Sequence, residues 1–255
     1  MPKNNEIAVE FREVSYTVNH RQLVSDLNFT VRQGETLVLL GRSGSGKTTT
    51  MKLINHLLIP TSGEVLVQGK PTTQWNPIQL RRRIGYVIQE IGLFPHFTVE
   101  KNVGLVPALE GWKPKQIKTR VYELLHLVGL DPEDFANRYP HQLSGGQRQR
   151  VGVARALAAD PPVMLMDEPF GALDPITRLE IQKEFGRLQK ELGKIVIFVT
   201  HDIEEAFILA TRIGLMEEGR MVVLGTPAEF LRSQDPEACA FMACLKSLEP
   251  TQDGQ

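Results

Sequence analysis

"TLVLLGRSGSGKTTTMKLINHLL", Thr36 to Leu58, decides how the rest of this chain is read. It begins as an apolar strand, passes through a loop of glycine and serine, and resumes as a helix that ends before Pro60. Gly41, Gly46, Lys47 and Thr48 stand at the G-x-x-x-x-G-K-[ST] spacing, in the strand–loop–helix setting that gives that spacing meaning. Glycines allow backbone N–H groups to converge on phosphate oxygens. The start of the following helix adds a partial positive charge. Gly41, Arg42, Ser43, Gly44, Ser45, Gly46, Lys47, Thr48 and Thr49 are therefore expected to hold ATP. Lys47 is expected at the β- and γ-phosphates and the Thr48 hydroxyl at Mg2+.

Composition sets outer bounds. The chain has 255 residues and a net charge of −1, enough for one large domain or one domain with an inserted lobe. No strongly basic field argues for nucleic acid. The two cysteines, Cys239 and Cys244, are too few for a disulfide framework and lack neighbours for a zinc site. No apolar run approaches the roughly 20 residues that span a bilayer. The opening "MPKNNEIAVE" has no apolar signal region. The expectation is a soluble cytoplasmic chain whose membrane role, if it has one, comes through a partner.

On either side of the glycine loop the pattern is mixed α/β. "IAVEFREVSYTV" and "LNFTVRQGETLVLL" are strand-like, with a turn at Gln33-Gly34, and predict an N-terminal antiparallel β subdomain. "PTSGEVLVQGK" reads as a turn and short strand, and Ile84 to Ile88 as another strand. From about Ile91 to Leu157 the chain becomes mostly helical. Within it, Ile117, Val121, Leu124, Leu125 and Val128 share one face of a helix that Pro114 starts and Gly129 stops. A second helix is expected from about Gly145 to Ala159. "VMLMD" and "IVIFVT" are near-continuous apolar runs, as expected of strands covered on both faces of a parallel sheet. Between them Asp174 caps, and Pro175 starts, a helix with Ile181, Phe185, Leu188 and Leu192 on one face. "RIGLMEEGRMVVLG" reads as a hairpin around Glu218-Gly219. The predicted organisation is one domain over 1–250. Its α/β core spans 1–90 and 158–235, a helical subdomain is inserted at about 91–157, and a short helical segment covers 236–250.

Further chemistry collects at strand ends, where open α/β sheets bind ligands. Asp167 ends the strand in "VMLMDEPFGALD" and is expected to hold Mg2+, directly or through water. Glu168 follows, turned differently, and is suited to polarise an attacking water. His201, just past "IVIFVT", could bond the γ-phosphate and steady that water. Tyr16 is either an adenine-stacking ring or ordinary packing. Gln89, after the Ile84 strand, could bridge Mg2+ or the water to whatever moves the helical lobe.

"LSGGQ", Leu143, Ser144, Gly145, Gly146 and Gln147, looks like a second anion loop, with Ser144 as helix cap. Lys47 already holds the chain's own triphosphate. The economical solution is a two-fold dimer, in which the "LSGGQ" of each chain caps the γ-phosphate of its partner.

Tyr16, "GRSGSGKT", Gln89, "LSGGQ", "VMLMDE", "ALD" and His201, in this order and spacing, resemble an ABC-type ATPase subunit over nearly the whole chain. The resemblance implies a P-loop NTPase fold of the ABC type, with Tyr16 on adenine and Gln89 sensing a transmembrane partner. It sets Asp174 in the loop that communicates across the dimer and makes His201 the switch histidine. "GALD" carries Gly171 where serine is common. There is no second cassette, coiled coil or fused membrane span, so an importer subunit fits better than a translation, DNA-repair or fused exporter type. "RRRIGYVIQEIGLFPHFTVEKNVGLVP", "MKLINHLLIPTSGEV" and "RYPHQLSGGQRQRVGVARAL" are similar to ATP-binding subunits of osmoprotectant importers, which move glycine betaine, choline or carnitine. Amino-acid or other small-solute importers, and lipid-trafficking or export systems, are the alternatives.

The resemblance implies a second ATP-binding subunit, a homodimer; permease subunits, which hold the chain at the inner face of the membrane; and, indirectly, a solute-binding protein. Many relatives carry paired regulatory CBS modules after the cassette. With the sequence stopping at Gln255, ionic-strength sensing of that kind is expected to be absent or to lie elsewhere. Leu93, Phe94 and Phe97 in "IGLFPHFTVEKN" are either the permease docking surface or the small core of the helical lobe.

Overall fold

β7 (Val163–Asp167) and β8 (Ile195–Thr200) are buried at every position, as their uninterrupted apolar sequences require of strands covered on both faces. They lie at the centre of a computed structural model that describes residues 6–89, 92–171 and 173–246. The strands before them are β1 (Ile7–Val18), β2 (Arg21–Arg32), β3 (Thr36–Leu40), β4 (Ser62–Val67), β5 (Lys70–Pro71) and β6 (Ile84–Val87). β9 (Arg212–Glu217) and β10 (Arg220–Gly225) follow. They form two sheets. One is antiparallel, in the order β2-β1-β4-β5. The other runs β10-β9-β3-β8-β7-β6 and is parallel except for β10 against β9. This is an α/β architecture.

β3 shows how the layers meet. Leu37 and Leu39 face a core shared with the antiparallel sheet, which also holds Val9, Leu27, Met51 and Ile197. Val38 and Leu40 face the opposite core, with Met166, Phe170 and Phe198. The two-residue period of a strand divides one apolar run between two cores. Each such side chain contributes roughly 1.5–3 kcal/mol on burial. Register then sets the site: Leu40 pairs with Thr200, and Asp167 with Val199, so β3, β7 and β8 end nearly level.

The helices are α1 (Lys47–Ile54), α2 (Pro77–Arg82), α3 (Val99–Val103), α4 (Leu105–Leu109), α5 (Pro114–Leu127), α6 (Pro132–Phe135) and α7 (Gly145–Leu157). The last four are α8 (Pro175–Leu192), α9 (Ile203–Leu209), α10 (Pro227–Phe230) and α11 (Pro236–Lys246). α5 buries Val121, Leu124 and Leu125 and stops before Gly129 at φ 70°. α8 buries Ile181 and Phe185; the side chains of Leu188 and Leu192 lie outside the described residues, as do Ile91, Ala172 and the segment from 247 onward. α2 and α9 were not anticipated from periodicity. Both are short and start from side-chain caps: Asn76 accepts from the Ile78 and Gln79 amides, and Asp202 from the Glu204 and Glu205 amides. The β9–β10 turn has Glu218 and Gly219 at φ 44° and 81°, the signs a two-residue hairpin turn needs. The Gly219 N–H donates to the Ser45 carbonyl at 3.0 Å, tying this hairpin to the glycine loop.

Candidate functional site

A cavity of about 840 Å³ opens where β3, β7 and β8 end. Its floor is the loop from Arg42 to Thr49, and Gln89, Glu168 and His201 also line it. The loop's shape depends on glycine. At Gly41, φ is 152°, and an added Cβ would come 2.3 Å from the Met216 carbonyl oxygen. At Gly44, φ is 80° with open space around it, so the backbone alone forms that part of the wall. Lys47 begins α1 and is 5% exposed. Its Nζ donates to the Gly41 and Arg42 carbonyls at 2.7 and 2.8 Å. Burial lowers its pKa from the usual lysine value, while the charges of Glu168 and Asp167 pull the other way.

Thr48 Oγ1 donates to Asp167 Oδ1 at 3.0 Å. Asp167 is buried, which raises its pKa above the ordinary carboxylate value; the Thr48 hydrogen bond opposes that shift. A hydroxyl and a carboxylate oxygen side by side are hard oxygen donors of the kind Mg2+ takes, with phosphate and water completing its shell. Among the described residues no cluster of three or more His, Cys, Asp or Glu could hold a metal. The pair suits an ion whose remaining ligands come from phosphate and water.

Glu168 turns away from Asp167 through a left-handed backbone, φ 43°, and its N–H donates to the Val199 carbonyl. Such a conformation costs about 1 kcal/mol or more outside glycine. The turn brings Glu168 Oε2 to 3.2 Å from Gln89 Nε2 and 3.3 Å from His201 Nδ1. Three residues singled out from three separate strand ends thus meet at one oxygen. That carboxylate can accept a proton, and the two groups beside it can orient what attacks.

Tyr16 is placed elsewhere. It is half-buried against the core between the sheets and is not among the residues lining the cavity. Arg21 and Leu23 of β2 line it instead, next to Val24, the residue paired with Tyr16. "LSGGQ" also lies off this cavity. Ser144 caps α7: its Oγ accepts from the Gln147 N–H at 3.2 Å, and Gln147 Oε1 accepts from the Ser144 N–H at 2.9 Å. This is a capping box, a role for Gln147 that the glycine pattern had obscured. Gly146 faces α8, where an added Cβ would come 2.9 Å from Thr177 Cγ2. Asp174 is exposed, caps α8 through the Thr177 N–H at 3.0 Å, and its carboxyl is held below the usual range by that bond.

Two features were missed. Glu205 is buried, accepting from Thr200 Oγ1 at 2.6 Å and Gln182 Nε2 at 3.0 Å, which ties the β8 end to α8. Burial raises its pKa. In addition, Ala240, Phe241 and Cys244 of α11 line the nucleotide-sized cavity. An acid inside "THDIEEAF" has no periodic signal to mark it as buried, and nothing in a C-terminal helix advertises a contact with a loop near residue 42.

Residues 24–171 match the family model described as ABC transporter. This chain belongs to the ABC transporter family. The ABC chain is 52% identical, over 85% of its length, to the choline transport ATP-binding protein OpuBA of Bacillus subtilis (strain 168), of which it spans 57%. It is 50% identical, over 88% of its length, to the glycine betaine uptake system ATP-binding protein YehX of Escherichia coli (strain K12), spanning 72% of that protein. Among solved structures it is similar to the ATP-binding cassette MJ0796, dimeric in a post-hydrolysis state and bound to ADP and Pi. That likeness has a TM-score of 0.76 and 35% identity and covers 86% of this chain and 98% of the other.

Proposed function

We infer that this chain is the ATP-hydrolysing motor subunit of a binding-protein-dependent ABC importer for osmoprotectants such as glycine betaine, choline or carnitine. The observation that carries the enzymatic part is the meeting of Gln89 and His201 at Glu168 Oε2, beside the loop that holds Lys47. The substrate class rests on about half identity to proteins named for choline and glycine betaine.

In this reading the loop amides and Lys47 bind the phosphates of ATP, and Tyr16, next to the Leu23 strand, takes the adenine. Thr48 and Asp167, with Gln89 nearby, would hold Mg2+, which when bound neutralises charge on the phosphate oxygens. Glu168 takes the proton of the attacking water. With His201 Nδ1 3.3 Å from Glu168 Oε2, His201 Nε2 is the ring nitrogen free to reach the γ-phosphate or the water. The "LSGGQ" amides and Asp174 serve a second copy of the chain, which is why they lie off this chain's own cavity; the similar cassette MJ0796 is a dimer.

No helix among the described residues is long and apolar enough to cross a membrane. Contact with the membrane, on its inner face, would then run through permease subunits, and contact with a solute-binding protein through those. A groove of about 300 Å³ between β6 and the helical segment, lined by Arg81, Tyr86, Phe94 and Leu105, supports that docking. Phe94 is 41% exposed there, while Leu93 packs on the core. Buried Asn102 pins the stretch by bonding the Phe94 amide and the Phe94 and Phe97 carbonyls.

The test is uptake of labelled glycine betaine at high osmolarity by source cells deleted for their other betaine transporters and carrying the native chain or Lys47→Ala. Loss of uptake in the variant is expected. Equal uptake would remove the osmoprotectant assignment and direct the search to amino acids and then lipids.

A further inference from the structure

One wall of the nucleotide cavity belongs to none of the family motifs. It is α11, whose Ala240 and Phe241 line the space above Arg42 to Thr49. The helix is firmly seated. Asp235 starts it by accepting from the Glu237 and Ala238 amides at 3.0 and 3.1 Å, Ala238 is fully buried, and Phe241 packs on the larger core. In its first turn, Glu237 has a side chain only 9% exposed. Its two oxygens accept from Arg42 Nε at 2.6 Å and Arg42 Nη2 at 3.1 Å, the two-pronged geometry of a strong guanidinium–carboxylate pair.

Arg42 is the second residue of the glycine loop, and its own carbonyl accepts from Lys47 Nζ at 2.8 Å. One residue therefore joins the C-terminal helix by its side chain and the phosphate lysine by its backbone. A guanidinium in such a loop would ordinarily be taken for a phosphate ligand. Here two of its donors are already committed to a carboxylate 195 positions away in the chain.

We propose that Glu237 is a positioning residue for the phosphate loop: it holds Arg42 against α11, fixing the loop's opening turn and closing one wall of the nucleotide cavity. This rests on the nucleotide-binding reading above. The charge of Arg42 then serves the loop's shape more than the neutralisation of phosphate, and affinity for nucleotide depends on a helix outside the motif set.

The experiment is equilibrium binding of MgATP and MgADP to the purified chain, with steady-state turnover measured on the same samples. Glu237→Gln is expected to weaken both nucleotides on the order of tenfold, while turnover at saturating ATP stays within about twofold. Arg42→Gln, whose side chain is 71% exposed and so tolerates replacement, is expected to lose the same amount. The double variant should be no worse than either single one, and Glu237→Asp should be intermediate. Binding by Glu237→Gln at the native level would overturn the latch alone. So would a loss for Arg42→Gln that adds to that of Glu237→Gln, because additivity means Arg42 touches phosphate independently. A native chain that binds neither nucleotide would overturn the functional reading and the latch together.

Discussion

The two glycine-containing loops of this chain use the same local grammar, small residues before a helix, and arrive at opposite uses of it. In Gly41–Thr48 the glycines have positive φ, the loop curls around its own lysine, and the helix starts on Lys47 without a side-chain cap. In Leu143–Gln147 the helix starts on a complete capping box, and Gly146 is small because α8 lies against it. The first loop is a cradle with its cation inside. The second is a conventional helix start that stands away from the cavity, with Arg148 Nη1 donating to its Leu143 carbonyl at 2.8 Å. In the proposed function these two loops, look-alikes in sequence, are the two halves of a site that a second copy of the chain completes.

The sharpest way to break that contrast is Lys47→Ala. Removing a buried, hydrogen-bonded charge is expected to cost nucleotide binding about 2–5 kcal/mol, roughly 30-fold to several thousand-fold. Calorimetric titration with MgATP checks it; near-native affinity would mean the first loop is not the cradle. Of similar size is the effect of Glu168→Gln. The amide keeps a partner for Gln89 and His201 but cannot take a proton, so turnover should fall by ~10² to 10⁴ with ATP still bound. Light scattering with and without saturating MgATP should then show an ATP-dependent dimer. A variant that stays monomeric would separate the two loops again.

Much of this was legible in the sequence, and the exceptions share a physical cause. β7, β8 and α8 fall at their expected residues because a both-sides-buried strand must be apolar throughout and because Asp174-Pro175 is an unambiguous helix start. The convergence of Gln89, Glu168 and His201 was legible only as three strand ends; register brings them to one oxygen. Tyr16 is ambiguous in sequence, since alternation along β1 puts a ring either on the core or on the ligand; in the fold it packs on the core yet stays partly exposed, which leaves a face for the adenine of the proposed function. Arg42–Glu237 and Gln182–Glu205 were not legible, because a pair between distant segments leaves no local period, spacing or cap to find.

A smaller effect is expected where the second loop is altered by bulk. Ser144→Arg puts a long charged side chain at the start of α7, and the reading expects it to obstruct the approach of a second copy. Turnover should fall on the order of tenfold or more, while MgATP affinity of the dilute monomer stays native. A fully active variant would leave "LSGGQ" as a helix start and nothing else.

The smallest expected effect discriminates most finely. Ser144→Ala removes only the hydroxyl that accepts from the Gln147 N–H. As a cap alone, that hydroxyl contributes ~1 kcal/mol to stability, which in a chain of this size lowers Tm by about 2–4 °C. The loss is local, since Gln147 Oε1 can still accept from the Ser144 N–H and α7 buries Val151, Ala154 and Leu157 further along. Well below Tm the monomer should therefore be fully folded and bind MgATP as the native chain does. If the same hydroxyl also faces a phosphate held by a partner, turnover at that temperature should drop by several-fold, more than any change in folded fraction explains. Thermal melts and ATPase rates on one preparation measure both quantities. A melt shifted by a few degrees with unchanged turnover would assign Ser144 to its own helix. A turnover loss out of proportion to the melt would assign it to both its helix and the partner's nucleotide, an arrangement that gives a reason for Gly145, which unlike Gly146 no close neighbour requires to be small.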